Sequence, residues 1–287
     1  MGKVRGITTT AMLWALTACL CAGPTEFCRG ADEMELTPAA RLVASSNVLV
    51  IAHRGASGRA PENTIPAFQA ALEDGAHLVE LDYFHSADGV PIVFHDKDLD
   101  RCTDAVVRLG REKTPVGTLT LAELKKLDAG SWFDARFAGT RIPTLAEAID
   151  AIQAGSTTLI EHKSGDAATC IELLRKKECL DDVVVQSFDW DYLRDCRRLA
   201  PRLTVVALGD KELTDELLDS AVALGAAGVG WKEDLIGQAQ IEAIHRRGLK
   251  AWVYTVNDGR RAKELAAAGI DGIITNEPGE MGKLLRP

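Results

Sequence analysis

Nine short runs rich in Val, Ile and Leu recur along the chain, separated by longer stretches whose apolar residues fall at helical spacing. They lie at 48–54, 78–83, 91–95, 158–163, 183–188, 203–208, 228–231, 250–257 and 272–276. Such alternation is the signature of a parallel sheet with helical crossovers. One run breaks the pattern, because only Tyr83 to Val90 separate Asp82 from Pro91. A parallel crossover needs roughly a dozen residues, whereas Asp88-Gly89 between extended segments signals a tight turn. The run 91–95 is therefore expected to be an antiparallel return strand. Removing it leaves eight, and the expected fold is α/β: a TIM (β/α)8 barrel with an antiparallel return strand after strand 2 and an inserted segment before strand 3. That insertion covers residues 96–142, with a helix expected at 119–127 followed by Gly130-Ser131-Trp132-Phe133. A segment of this length reads equally as a lid or binding loop, or as a surface excursion packed by its own aromatics.

A barrel of this kind fits within 287 residues of 46% hydrophobic content, and with only 5% aromatics its core must be mostly aliphatic. The net charge of -9 and a pI near 5.3 exclude a broad nucleic-acid-binding face, so an anionic substrate would have to be attracted locally.

The N-terminus differs from the rest. Lys3 and Arg5 precede an uncharged stretch, residues 7–22, and then Gly23-Pro24. That is the layout of a secretory signal, with an apolar core too short to span a bilayer comfortably, so export to the periplasm or medium is expected. Leu16-Thr17-Ala18-Cys19 resembles a lipobox, in which Cys19 would be acylated and anchor the chain to a membrane; ordinary cleavage near Ala22 is the rival. The expected organisation is a signal at 1–22, a polar tether at 23–46 with a short helix at Pro38–Val43, and the barrel from 47 to 287. Cys19 and Cys21 fall in the signal and Cys28 in the tether. Cys102, Cys170, Cys179 and Cys196 form no C-x-x-C pair and read as small core residues, with pairing of Cys170 to Cys179 or Cys196 the alternative.

The densest chemistry is in residues 52–64, Ala-His-Arg-Gly-Ala-Ser-Gly-Arg-Ala-Pro-Glu-Asn-Thr, which follow the first run and lead into a helix expected at 65–72. Packing alone calls for no histidine, arginine and glutamate beside flexible glycines, whereas holding an anion and moving a proton does. Polar residues recur at the carboxyl ends of the other runs: Glu80 and Asp82, Glu161 and Lys163, Gln186, Trp231, Asn257, and Asn276 with Glu277. Barrel active sites sit at that face. Alternation sends Glu80, Asp82, Glu161 and Lys163 to one cavity, and the return strand brings His95 back beside Asp82.

Three converging carboxylates repel one another unless a cation sits among them, and all-oxygen ligation favours Mg²⁺ or Ca²⁺ over Zn²⁺. Ion pairing with Arg and Lys is the structural alternative for each acid. His53 and His95 flank that position and suit general acid and base roles, while His77, His85, His162 and His245 read as structural. Arg54 offers bidentate contacts to a phosphate and Lys163 a point charge. The glycines of the loop read as allowing close backbone approach to that phosphate.

The run His53-Arg54-Gly55-Ala56-Ser57-Gly58 with Pro61-Glu62-Asn63-Thr64, then Glu80-Leu81-Asp82, Phe94-His95-Asp96, Glu161-x-Lys163, Gln186-Ser187-Phe188 and Thr255-Val256-Asn257, resembles the bacterial glycerophosphodiester phosphodiesterases. The similarity runs from about Val48 to the C-terminus. It implies a metal-dependent barrel enzyme, with one Mg²⁺ or Ca²⁺, that hydrolyses glycerophosphodiesters to an alcohol and glycerol 3-phosphate. It further implies His53 and His95 as the acid/base pair, Glu80, Asp82 and Glu161 as metal ligands with Glu62 a weaker fourth, and Arg54 and Lys163 on the phosphate. Tyr254 and Asn276 depart from the tryptophan and aspartate common in the family, which bears on the pocket wall. The rival readings are a related lysophospholipid or sphingolipid phosphodiesterase, a barrel glycosidase using Glu80 and Glu161, and an exported protein that binds glycerophosphodiesters without turnover.

Overall fold

The computed structural model describes residues 1–2 and 35–285, and one unit begins at Leu36 while Met1–Glu35 form another. The expected signal beyond Gly2, with Cys19, Cys21 and Cys28, lies outside the described residues, as does the tether up to residue 34.

All nine runs form strands: β1 Leu49–Ala52, β2 Leu78–His85, β3 Pro91–Val93, β4 Thr157–His162, β5 Val183–Ser187, β6 Thr204–Gly209, β7 Gly228–Lys232, β8 Lys250–Tyr254 and β9 Gly272–Thr275. Eight pair in parallel, and β1 closes the ring by pairing with both β2 and β9. β3 pairs antiparallel with β2, Tyr83 opposite Val93 and His85 opposite Pro91. The turn between them is tied by the Ser86 N–H donating to Val90 O at 3.0 Å, with Gly89 at φ 78°. The expected barrel and its return strand are thus both present.

Side-chain alternation divides the strands between two cores. Leu49, Ile51, Leu78, Leu159, Val184, Val206, Trp252 and Ile274 fill the barrel interior. Their neighbours, such as Val50, Val79, Leu81, Ile160 and Val185, face the surrounding helices. Continuing the inward set toward the carboxyl ends reaches His53, Glu80, Asp82, Glu161 and Gln186, so the phase that packs the core also aims the polar residues.

One helix forms where it is expected and another is shorter than expected. The helix Pro38–Val43, capped by Thr37, buries Ala39 and Val43 against the inward residues nearest the strand starts. Burial of the valine alone is worth roughly 1.5–3 kcal/mol. This helix is the floor of the barrel, within the compact unit that starts at Leu36. In the insertion, the helix expected at 119–127 is only Leu121–Leu124. Asp128 halts it by accepting backbone N–H bonds from Gly130, Ser131 and Gly139 at 2.7–2.9 Å, which bends the chain into a tight loop. The insertion has its own aliphatic core, including Leu99, Val116, Leu124, Leu127 and Ile142, beside an edge-to-face cluster of Trp132, Phe133 and Phe137. Cys102, Cys170, Cys179 and Cys196 are buried and unpaired, as small core residues should be, and the disulfide alternative falls.

Candidate active site

β1 ends at Ala52, but the His53 N–H still donates to Thr275 O of β9 at 2.8 Å, which holds its side chain in the inward phase. His53 Nδ1 lies 2.7 Å from Asn276 Oδ1. A carboxamide oxygen only accepts, so Nδ1 carries the hydrogen and Nε2 is left bare. Burial, and next the charge of Arg54, pull the His53 pKa down to about 4, so the ring is neutral at ordinary pH.

The chain then turns sharply. Arg54 and Asn63 both adopt left-handed backbone, φ 56° and 58°, at a cost of roughly 1–2 kcal/mol each. Offsetting bonds hold them there. The Arg54 N–H donates to Glu80 Oε2 at 2.7 Å, and the Asn63 N–H to Arg54 O at 3.0 Å. Asn63 clasps Asp82 at two points, donating to its carboxylate at 2.8 Å and accepting from its N–H at 3.1 Å. The Arg54 guanidinium lies 2.8 Å from Glu62 and 3.3 Å from Asp82.

Register places the acids together, with Asp82 directly beside Glu161. Among the described residues, one carboxylate oxygen each from buried Glu80, Asp82 and Glu161 lie within 4.8 Å of one another. Burial, then repulsion from Asp82 and Glu161, push Glu80 well above the usual carboxylate range. Glu161 is pushed up to about 7 by burial and then by Asp82, against the pull of Lys163. Asp82 is held low in spite of burial by Lys163, Arg54 and His95. Lys163 Nζ bridges Glu161 and Asp82, and Gln186 donates to the other Glu161 oxygen at 3.2 Å. Glu80 Oε1 is buried with no hydrogen-bond partner among the described residues. A stranded carboxylate oxygen in an all-oxygen cluster fits a hard divalent cation.

His95 arrives by the hairpin. The Phe94 N–H donates to Asp82 O at 3.0 Å, which brings the next residue to the mouth. His95 Nδ1 is 2.7 Å from Asp96 Oδ1, so its Nε2 is also the free nitrogen. Arg101, from the insertion, chelates Asp96 at 2.6 and 3.1 Å and Glu62 at 2.8 and 2.8 Å. Burial works against ionisation of Asp96, but the bonds from Arg101 and His95 prevail and hold its pKa down to about 2.

His53, Arg54, Asp82, His95, Glu161 and Lys163 line one cavity of about 150 Å³, walled on its far side by Phe188, Leu208 and Tyr254. A family model described as the Glycerophosphoryl diester phosphodiesterase family matches residues 53–280. The chain belongs to this family. It is 36% identical over 245 residues to the glycerophosphodiester phosphodiesterase of Caldanaerobacter subterraneus, covering 83% of this chain and 98% of that one. It is 33% identical over 259 residues to the enzyme of that name from Bacillus subtilis, covering 83% and 86%. Among solved structures, an Oleispira antarctica phosphodiesterase in complex with sn-glycerol-3-phosphate superimposes with a TM-score of 0.76 at 30% identity, covering 84% of this chain and 98% of that one.

Within this family barrel, Glu62 lies apart from the acidic cluster, its carboxylate occupied by Arg101 and Arg54. The loop glycines do not approach the cavity as expected. Gly55 backs onto the helix Ile65–Glu73, where an added Cβ would stand 2.6 Å from the Ala67 carbonyl carbon, and Gly58 packs against Glu277. Asn257 pins the end of β9 by accepting from Thr275 and Asn276. The four remaining histidines stay outside the cavity; His162, for example, stacks on Tyr192 at 3.6 Å. Sequence reasoning missed Arg101 and Ser57, whose hydroxyl donates to Asn276 Oδ1 at 3.1 Å. No periodicity marks either residue; the basic residue shortly after His95-Asp96 was the one available cue.

Proposed function

We propose that the chain hydrolyses glycerophosphodiesters to an alcohol and glycerol 3-phosphate, with His53 and His95 as its acid/base pair. The observation that carries this reading is the pair itself. Two histidines on one cavity each have Nδ1 fastened to an oxygen behind them, so both Nε2 atoms are free toward the space between. Arg54 and Lys163 line the same cavity and hold the non-bridging oxygens of the phosphate. His53, kept neutral by burial, takes the proton of the attacking oxygen. His95, backed by the carboxylate of Asp96, delivers a proton to the leaving alkoxide. The attacking oxygen is water, or a glycerol hydroxyl of the substrate that forms a cyclic phosphate; phosphorus NMR under single turnover separates the two routes.

Glu80, Asp82 and Glu161 are the residues that would hold one Mg²⁺ or Ca²⁺, which when bound withdraws charge from the phosphate oxygens. The residues that precede the barrel support export, the uncharged stretch 7–22 after Lys3 and Arg5 serving as a signal with Cys19 as a candidate anchor. Among the described residues no helix is long and apolar enough to cross a membrane.

The test is to give chelated protein glycerophosphocholine, restore Mg²⁺ or Ca²⁺ in turn, and measure glycerol 3-phosphate. Product should form only after a metal is restored. Full turnover in EDTA removes the metal assignment, and no turnover with either ion removes the activity.

A further inference from the structure

Beside the catalytic cavity lies a second, larger space over the carboxyl ends of β5, β6 and β7. This groove has a volume of about 490 Å³, more than three times that of the cavity, and the two share Phe188 and Leu208. Its other apolar walls are Trp190, Leu217 and Trp231. The size lies in the range of roughly 300–1,000 Å³ usual for small-molecule sites. Phe188, at the junction, is 45% exposed, and its ring meets Tyr254 edge-on at 5.9 Å.

The polar atoms of the surrounding aromatics are turned away from any ligand. The Trp190 indole donates to Leu208 O at 2.9 Å, the Tyr254 hydroxyl to Gly209 O at 2.8 Å, and the Trp231 indole to Lys211 O at 2.6 Å. One short segment at the end of β6 thus satisfies all three, and the aromatic rings present carbon to the groove. Asp210 and Lys211 stand together on the rim with opposite charges, so the rim exerts no net pull on a charged head group.

We propose that this groove is a subsite for a hydrocarbon substituent of the diester, so that chain-bearing substrates are preferred to chain-free ones. The inference rests on the phosphodiesterase reading above and names the substrate class of that site. A chain can be carried on either side of the phosphorus: as an acyl group on the glycerol, or as an alkyl leaving alcohol. Both present the same methylenes to Phe188, Trp190 and Leu217.

Three probes below their micellar concentrations test it: glycerophosphocholine, 1-hexanoyl-glycerophosphocholine and glycerophosphohexanol. Turnover is measured on the metal-loaded protein, and binding is measured separately by equilibrium dialysis on chelated protein. At least one six-carbon probe should exceed glycerophosphocholine by about tenfold or more in both kcat/KM and affinity, a modest share of what burying about four methylenes yields. Identifying which probe gains assigns the side of the phosphorus. Leu217→Glu should erase the gain and leave glycerophosphocholine turnover unchanged, with Leu217→Gln as the milder variant should the first fail to fold. The proposal is overturned by equal rates and affinities for all three probes, or by a gain that survives both substitutions. Leu217-sensitive binding with no turnover of any probe upholds the groove and sinks the activity; turnover of glycerophosphocholine with no gain from a chain does the reverse.

Discussion

Arg101 joins the two sides of the site. Through Asp96 it reaches His95, and through Glu62 it reaches Arg54, so one guanidinium fixes together the histidine proposed as acid/base and the arginine proposed to hold the phosphate. Doubly chelated guanidinium geometry cannot be copied by an ammonium. His95→Ala should lower kcat by roughly 10²–10⁴. Arg101→Ala should lower kcat by roughly tenfold to a hundredfold while the protein still melts cooperatively, with Arg101→Lys between the two. An Arg101→Ala variant with wild-type kcat would remove the arginine from the mechanism. His95 was legible because a short gap with Asp-Gly forces the hairpin that delivers it. Arg101 was not, since its contact with Glu62 spans 39 residues from a segment without period. A carboxylate in the Glu62 loop has two natural partners, a cation held by the neighbouring acids or an arginine, and nothing in the sequence says that Arg54 and Arg101 bond it.

At the level of elements, strand phase was the most readable property. Observed β1, β8 and β9 end before their expected limits because the chain bends where the polar residues begin, while β2 runs on to His85 because β3 covers its edge. The loop after β1 was legible as chemistry but not as packing. A glycine announces that a side chain is unwelcome without naming the neighbour, and for Gly55 that neighbour is the backbone of Ala67. Gly55→Ala would add both that clash and a side chain at φ 83°. It should destabilise the fold by roughly 1–3 kcal/mol and lower activity with it, because Arg54 and Glu80 anchor the same turn. Thermal melting and turnover of the variant check this; an unchanged melting temperature would mean that the helix can retreat.

Across the whole molecule, a net charge of -9 conceals a site whose behaviour depends on a few buried groups. Glu161 has its pKa raised from 4.5 to about 7 in the fold without metal. Its contribution to stability is complete below about pH 4.5 and is lost as pH rises through 7. Glu80, raised by burial, acts in the same direction. His53, lowered from 6.5 to about 4, acts in the opposite sense: its contribution is complete above 6.5 and is lost as pH falls toward 4. Metal binding demands deprotonated carboxylates and so should release protons. Mg²⁺ or Ca²⁺ should therefore raise the melting temperature more at pH 8 than at pH 5.5. An equal rise at both values would show that Glu80 and Glu161 do not hold the ion. The eightfold ring could be read from the sequence because each strand repeats one rule, whereas the floor helix could not be assigned to it. Six residues with two buried side chains look the same in a tether as in a domain until the barrel is there to receive them.

The insertion leaves from β3 and returns to the helix Leu145–Ile152, whose cap residue Thr144 bridges back to Ile92 of β3, and it keeps a hydrophobic core of its own. It is in effect a cassette. Its length and sequence can drift, or be exchanged for another protein's, without shifting the register of a single barrel strand. What such an exchange must carry across is the pair Asp96 and Arg101, and a graft that supplies both would change what covers the mouth while sparing what lies beneath.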